Sequence, residues 1–261
     1  MDNFEAAKSI LRRFGLRRTA WDSLQELAKK YGIEIVPEWR LKDGPVTSEK
    51  IGQFHLQPAF ELLNNELKVY STSMLKTTRL KRIVLCSKVR IKRGIFEGQS
   101  GSKKNSRVCG IFVGKSGNLY LPLDWFSGSH SRHTFHHELY HCIDYHRSFW
   151  RYWDPGWALL NEKGFSYSRE KYEGREIEYP RRVGFISTYA MTDVWEDKAE
   201  LYASMILHYK YVVTKCDQDT VLKKKFLRIK ELLLRFCPEY NDAFWKSREN
   251  CSITVWDDHT V

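Results

Sequence analysis

The chain has 261 residues, of which 42% are hydrophobic and 14% aromatic, and this composition is typical of a globular protein. It contains no apolar run of about 18 residues, which excludes a hydrophobic helix that spans a membrane. The formal net charge is +11, with 43 lysines and arginines against 32 aspartates and glutamates. Such a charge favours an acidic partner, which is nucleic acid, a membrane surface or an acidic protein.

The basic residues do not follow a pattern that identifies one of these partners. Runs at 79–82, 103–104 and 223–225 are scattered and are not interleaved with aromatic residues at regular spacing. Proteins that bind single-stranded nucleic acid usually combine aromatic residues with a basic groove. A solvated surface therefore explains the charge better than a nucleic-acid site, which stays open as the alternative.

The amino terminus and the cysteines favour a reducing compartment. Residues 1–5 lack the basic start and apolar core of a secretory signal, so we expect a cytoplasmic protein in the cell that makes it. Delivery into another cell by a signal-independent route is compatible with this expectation. No C-x-x-C pair is present, which disfavours a structural zinc module. We interpret the six cysteines as mostly buried thiols, with disulfides as the alternative.

The apolar pattern predicts a mixture of helices and strands. Residues 1–56 form an amino-terminal part, either separate from or within the domain of residues 57–261. This part is predicted to contain two helices, an edge strand and a loop, at 3–14, 19–31, 33–37 and 41–55. Next come a helix, a strand, an exposed loop and a β-hairpin with a Gly-Lys-Ser-Gly turn, at 58–69, 81–86, 92–107 and 108–123. The chain is therefore predicted to be α+β.

The histidine-rich run at 133–146 carries the clearest chemical signal. His137-Glu138-Leu139-Tyr140-His141 has the pattern H-E-x-x-H, which on a helix places two imidazoles on one face, spaced to bind one zinc ion. Apolar residues form a second stripe on the same helix, which favours a buried helix over the alternative of a histidine-rich surface helix. Glu138 then lies beside the metal as a candidate general base.

A catalytic zinc site has three protein ligands, so a third ligand is expected elsewhere in the chain. Residues 192–206 are predicted to form a helix, and Glu196 falls on its buried stripe. A buried carboxylate is costly unless it is paired or bound to metal, so Glu196 is the expected ligand. Glu200, one turn later, is expected to orient a ligand histidine. The alternative places both glutamates on a solvated edge, paired with lysines.

The other polar residues of the histidine-rich run are assigned supporting roles. Asp144 follows His141 by less than one turn, so its carboxylate would have difficulty reaching the same zinc ion. We assign Asp144 a role in supporting the ligands or in packing the helix. His133, His136 and His146 are interpreted as surface or supporting residues.

Two further segments bear on the substrate. A strand beside a peptidase cleft can bind an extended peptide through its free backbone groups, and Leu119, Tyr120 and Leu121 in the second arm of the predicted hairpin are the candidates. Aromatic residues cluster at 149–157, where we favour a small packed subcore over a substrate pocket. Residues 226–236 predict an amphipathic core helix, with a partner-binding helix as the alternative.

The combination of these segments resembles a known group of enzymes. The H-E-x-x-H pattern is followed by Tyr189 and, seven residues later, by Glu196 within Glu-Asp-Lys-Ala-Glu. This arrangement is similar to that of gluzincin metallopeptidases, which include the anthrax lethal factor catalytic domain and bacterial Pro-Pro endopeptidases. The Trp…Leu-Asn…Gly-Phe-x-Tyr stretch at 157–167 also resembles bacterial zinc-binding metallopeptidases. The resemblance covers roughly residues 57–208.

The resemblance implies a zincin-like fold, in which a small mixed sheet packs on the H-E-x-x-H helix and the carboxyl-terminal part is mostly helical. It implies one zinc ion held by His137, His141 and Glu196, with Glu138 as general base and Tyr189 as an oxyanion-stabilising hydroxyl. The chain departs from the group in having Tyr140 where glycine is common and in the long gap between His141 and Glu196.

The sequence thus predicts a zinc endopeptidase that hydrolyses a protein or peptide substrate with metal-activated water. The alternative is a basic nucleic-acid-binding protein with a structural or vestigial zinc site. A protease stimulated by nucleic acid would combine the two.

Overall fold

A computed structural model describes residues 19–37, 43–44, 46–91, 109–123, 128–148, 154–172 and 182–249. The predicted helix at 3–14 and the predicted loop at 92–107 lie outside these residues, as do the last residues of the chain. The described helices, in chain order, are α1 (Ala20–Tyr31), α2 (Leu56–Glu66), α3 (Thr72–Thr78), α4 (Gly128–Arg147), α5 (Pro155–Ala158), α6 (Arg169–Tyr172), α7 (Val194–Leu207), α8 (Tyr209–Gln218), α9 (Thr220–Phe236) and α10 (Asp242–Glu249). Short 3-10 turns lie at Gln53–His55, Leu67–Val69 and Tyr189–Met191.

The described strands form one mixed sheet around a long central strand. They are β1 (Glu34–Val36), β2 (Val46–Lys50), β3 (Arg82–Ile91), β4 (Ile111–Val113) and β5 (Asn118–Pro122). The order is β1-β3-β5-β4, and β2 pairs with the far half of β3 beyond β1. The β1–β3 and β3–β5 pairs are parallel, whereas β2–β3 and β4–β5 are antiparallel.

Local sequence explains where α1 begins and ends. The Thr19 side chain accepts a hydrogen bond from the Asp22 N–H, and Asp22 in turn accepts from the Thr19 N–H, which forms a capping box. Gly32 ends the helix with a φ of 67°, a left-handed conformation that glycine adopts without steric cost. The predicted helix at 19–31 is therefore confirmed.

Most of the remaining predicted elements are also present. The helix predicted from 58 occurs as α2 and the following 3-10 turn, and the predicted hairpin occurs as the β4–β5 pair. In its turn the Gly117 N–H donates to the Val113 carbonyl, and Gly117 has a φ of 72°. The predicted loop at 41–55 is wrong, because β2 lies within it and pairs through its backbone with β3 although Val46 is its only apolar residue. Helix α3 was not predicted.

The prediction that Leu119, Tyr120 and Leu121 offer free backbone groups to a peptide is wrong for Leu119 and Tyr120. Strand β5 lies between β3 and β4, and β4 pairs with it from Asn118 to Tyr120, so Leu119 and Tyr120 are paired with a strand on each side. Among the described strands, Leu121 pairs with β3. All three side chains are buried. The edge strand beside α4 is β4, which the sequence placed in the first arm of the same hairpin.

One hydrophobic core joins the sheet to the helices. It contains residues of α1 and β1, such as Leu24 and Ile35, together with Leu139 of α4 and Leu201 of α7. Helices α4 and α7 pack against each other, and α8, α9 and α10 complete the carboxyl-terminal part. The predicted α+β arrangement, with a small mixed sheet on α4 and a mostly helical carboxyl-terminal part, is confirmed.

The described part of the chain also bears on the cysteine and membrane predictions. Four of its cysteines are buried and Cys109 is exposed; the buried ones are Cys86, Cys142, Cys216 and Cys237. None of the described helices combines the length and the apolar character needed to cross a membrane. The run at 226–236 forms part of α9 and buries Phe226, Ile229 and Leu233, which confirms a core helix.

Asp144 packs α4 against α7. Its carboxylate accepts hydrogen bonds from Lys198 Nζ at 2.5 Å and from Arg147 Nη2 at 2.6 Å, and both Asp144 and Lys198 are fully buried. Its described hydrogen bonds therefore go to residues that pack the helix, and none goes to His137 or His141. Of the two roles predicted for Asp144, helix packing fits the structure and support of a ligand histidine is wrong.

Removal of the buried Asp144–Lys198 pair is expected to reduce the stability of the protein strongly. In Asp144→Asn the Lys198 ammonium stays buried without its countercharge, so we expect the free energy of unfolding to fall by about 3–5 kcal/mol. Urea denaturation followed by circular dichroism measures this change.

The matched control is Glu231→Gln, which removes an exposed ion pair with Arg235 on the surface of α9. Its free energy of unfolding should change by less than about 1 kcal/mol. Equal effects of the two substitutions would contradict the importance of the buried pair.

Candidate metal centre and active site

Helix α4 presents its histidines and its apolar residues on different faces. Leu139, Cys142 and Ile143 are fully buried in the core, where the Cys142 thiol donates to the Thr78 carbonyl. His137 and His141, one turn apart, point instead toward the start of α7, and their ring centroids lie 4.7 Å apart. The 3.6-residue repeat therefore buries one stripe and directs the two imidazoles to a single point.

Glu196 lies in the first turn of α7 and reaches the same point. Its Oε2 lies 3.0 Å from Nε2 of His137 and 3.2 Å from Nε2 of His141, and the two nitrogen atoms are 3.0 Å apart. A tetrahedral zinc ion with ligand bonds of about 2.0–2.1 Å has ligand atoms roughly 3.3 Å apart. The three donor atoms thus form a triangle of nearly the size that zinc requires.

Glu200 fixes the orientation of His137. The His137 Nδ1–H donates to Glu200 Oε1 at 2.8 Å, which leaves Nε2 directed at Glu196. The Ser187 hydroxyl donates to Glu200 Oε2 at 2.6 Å, and His133 Nε2 lies 3.8 Å from Glu200 Oε1. A carboxylate on the outer nitrogen is the usual support of a ligand histidine. Sequence reasoning identified Glu200 but missed Ser187.

The charges around His137, Glu196 and Glu200 favour the binding of a cation. Burial acts to lower the pKa of His137, but hydrogen bonds to Glu196 and Glu200 and their negative charges raise it well above its ordinary value. Burial raises the pKa of Glu200, yet His133, His137 and Ser187 outweigh this effect and lower it to about 2. Two ionised carboxylates therefore flank one imidazole, and the donor set suits a divalent metal.

Glu138 lies between strand β4 and the three donor atoms of His137, His141 and Glu196. Its Oε2 accepts the Phe112 N–H of β4 at 2.8 Å. Burial raises the pKa of Glu138, and the neighbouring His141 and His137 oppose this shift. A carboxylate with a raised pKa can both accept and return a proton near neutral pH.

Gly110 allows β4 to approach α4 this closely. A Cβ at Gly110 would lie 2.7 Å from Thr134 Cγ2 and 2.9 Å from Glu138 Cγ, so any side chain there would displace the helix or the glutamate. Sequence reasoning missed Gly110. The available signal was a glycine inside a strand pattern, which often marks a close approach of backbone to another group.

Tyr189 also lies next to His137. It begins the 3-10 turn Tyr189–Met191, and its ring centroid lies 6.0 Å from that of His137. Burial raises the pKa of Tyr189 well above its ordinary value, and the charges of Glu196, Glu138 and Glu200 add to the shift. The phenol therefore keeps its proton and can donate a hydrogen bond.

The Trp…Gly-Phe-x-Tyr stretch at 157–167 contacts α7 at Asp197 and not at the donor atoms of the metal centre. The Trp157 indole N–H and the Tyr167 hydroxyl both donate to Asp197 Oδ2, at 2.8 and 2.7 Å. Lys225 Nζ of α9 donates to the same oxygen at 2.7 Å. Trp157 is fully buried, which fits the predicted packed subcore, whereas residues 149–153 lie outside the described residues.

Arg169 is a further residue of the centre that sequence reasoning missed. Its Nη2 donates to Glu196 Oε1, the carboxylate oxygen that faces away from the histidines, at 3.0 Å. No sequence pattern pointed to Arg169, because its contact depends on how the start of α6 packs against α7.

Two of the remaining histidines have supporting contacts. His136 is fully buried between Tyr70 and Glu66, whose atoms lie 2.7 and 2.9 Å from its ring nitrogens. His133 forms a second group of possible metal donors with His137 and Glu200, but this group shares His137 with the three donors already described, and its Glu200 orients that histidine.

Comparisons with known proteins identify the family of the chain. Residues 67–233 match the model of a family described as "putative zinc-binding metallo-peptidase". The fold is similar to the crystal structure of a putative zinc-binding metallo-peptidase from Bacteroides caccae, with a TM-score of 0.52 and 14% sequence identity over 87% of this chain and 93% of that chain. No curated protein matches the sequence. Because the family match covers more than half of the chain, the protein belongs to this family of zinc-binding metallopeptidases.

Proposed function

We propose that the protein is a gluzincin-type endopeptidase in which His137, His141 and Glu196 hold one zinc ion. The observation that carries this proposal is the triangle of donor atoms, with sides of 3.0, 3.0 and 3.2 Å, contributed by two helices. Glu138 and Tyr189 flank the triangle, and Glu200 orients His137 from outside it. Membership of a family of zinc-binding metallopeptidases supports the zinc peptidase part of this proposal.

The residues around the triangle have the properties that peptide hydrolysis needs. A bound zinc ion would supply Lewis acidity, which activates water and polarises the peptide carbonyl. Glu138 accepts the proton of the attacking water and passes it to the leaving amine, and the Phe112 N–H holds its carboxylate in place. The Tyr189 hydroxyl donates to the oxyanion of the tetrahedral intermediate.

We further propose that an extended substrate lies along β4, the edge strand that packs beside α4. Glu138 contacts this strand at Phe112, so a peptide beside β4 would pass close to the general base. Backbone pairing with an edge strand is independent of side-chain identity and accepts a chain that continues in both directions. This binding mode favours an endopeptidase.

The role of Glu138 is tested by Glu138→Gln, which keeps the side-chain volume and removes the base. We expect turnover to fall by about 10²–10⁴-fold. Zinc content should stay near one ion per chain, because Glu138 is not one of the three proposed ligands. Comparison of new amino termini in a cell lysate treated with each protein measures cleavage without a known substrate, and atomic absorption measures zinc.

The matched control is Glu170→Gln, which removes an exposed carboxylate next to Arg169 and should leave cleavage unchanged. Full proteolysis by Glu138→Gln would contradict the mechanism. Zinc binding without cleavage by the wild type would instead favour a binding protein with a structural zinc site.

The role of Tyr189 is tested by Tyr189→Phe, which removes only the hydroxyl. We expect kcat to fall by about 10–10³-fold, because a donor to the oxyanion is lost. The KM value and the zinc content should change little. A matched substitution is Tyr172→Phe in the buried cluster that packs around Phe185. Unchanged kcat in Tyr189→Phe would exclude the hydroxyl from catalysis.

A further inference from the structure

Arg169 is held against the first turn of α7 by three neighbours. Its Nη2 donates to Glu196 Oε1 at 3.0 Å, and its Nε lies 3.7 Å from Asp193 Oδ2. The guanidinium carbon lies 5.8 Å from the centroid of the Trp195 ring. Only 12% of the side chain is exposed, so this arginine lies mostly inside the protein.

The two oxygens of Glu196 therefore have different partners. Oε2 lies within 3.2 Å of both histidine nitrogens, whereas Oε1 accepts the Arg169 hydrogen bond. A carboxylate on a flexible side chain can rotate and offer one or both oxygens to a metal. With Oε1 engaged by Arg169, that rotation would break a charge-assisted hydrogen bond.

We propose that Arg169 is a positioning residue that fixes Glu196 as a ligand through Oε2 alone. This inference rests on the proposed function, since it assumes that His137, His141 and Glu196 bind zinc. In this inference Arg169 orients a ligand and does not itself bind zinc. By occupying Oε1, the guanidinium keeps the carboxylate from binding through both oxygens and preserves space in the centre for water and substrate.

The backbone around Arg169 holds the guanidinium in this place. The Ser168 N–H donates to the Met191 carbonyl at 3.2 Å, which ties the segment before α6 to the turn that carries Tyr189. The Ser168 backbone thus contacts the Tyr189 turn, and the side chain of the next residue, Arg169, contacts the ligand Glu196. A planar guanidinium can contact a carboxylate and an aromatic ring at the same time, which a lysine ammonium does less well.

Arg169 affects zinc binding in two opposite ways: its charge repels the ion, and its hydrogen bond orients the ligand Glu196. We expect the orientation of Glu196 to be the larger effect. A positive charge near the metal weakens binding, but Glu196 and Asp193 already place two carboxylates beside this guanidinium. Its net repulsion of zinc is therefore reduced. Loss of the hydrogen bond, in contrast, frees Glu196 to rotate before the metal binds, and ordering it again costs free energy.

The test compares zinc dissociation constants measured by competition with a chromogenic chelator. In Arg169→Met, which keeps a long side chain without charge or donors, the constant should rise by about 10–100-fold. Arg169→Lys, which can still donate one hydrogen bond to Glu196, should recover part of this loss. The visible spectrum of the cobalt-substituted protein should change in Arg169→Met, because the ligand arrangement changes.

The matched control is Arg228→Met, which removes an arginine paired with Asp154 in another part of the protein. It should bind zinc like the wild type, and circular dichroism should show that all variants are folded. A folded Arg169→Met protein with an unchanged or tighter zinc constant and an unchanged cobalt spectrum would overturn the inference and leave the proposed function intact. Absence of zinc binding by the wild type would overturn both.

Discussion

One imidazole connects the two helices that form the metal centre. The Nδ1–H of His137 donates to Glu200, and its Nε2 faces Glu196, so a single ring contacts two carboxylates one turn apart on α7. These partners lie 63 and 59 residues after His137 in the chain. The relative position of α4 and α7 therefore determines whether the donor atoms converge, and the rest of the fold serves to hold that position.

The buried charges of α7 hold it in that position. Four of the five residues in Glu-Asp-Lys-Ala-Glu, 196–200, are charged, and all four are buried. Each has a partner in a different direction: Glu196 the two histidines, Asp197 the Lys225 ammonium, Lys198 the Asp144 carboxylate, and Glu200 His137. A rotation of α7 would break several of these pairs at once and leave buried charges without partners. The helix therefore has one favourable orientation, which also aims Glu196 at the metal.

The sequence predicted the elements of the centre that depend on local spacing. The four-residue step from His137 to His141 follows from helical periodicity, and the buried stripe of α7 identified Glu196 and Glu200 as inward-facing carboxylates. Glu200 was further expected to contact a histidine, and it does so through Nδ1 of His137. These inferences needed the period of a helix, the cost of burying a charge and the expectation that the two histidines of H-E-x-x-H require a third zinc ligand.

The errors concern features that depend on how elements are arranged in space. The residue pattern of β5 is the same whether the strand is central or at an edge of the sheet. Its place between β3 and β4 depends on the order of the strands, which the sequence did not reveal. Asp144 follows His141 by three residues, yet its carboxylate binds Lys198 because α7 passes on that side. Arg169 and Gly110 act across long stretches of chain, and no local pattern could pair them with Glu196 and Glu138.

X-ray absorption spectroscopy of the zinc-loaded protein tests the central arrangement most directly. The expected spectrum shows zinc with four nitrogen or oxygen ligands at about 2.0–2.1 Å and with imidazole scattering from two histidines. In Glu196→Gln the spectrum should change or the zinc should be lost. A sulfur ligand at about 2.3 Å, or an identical spectrum in a zinc-loaded Glu196→Gln protein, would contradict a centre built from His137, His141 and Glu196.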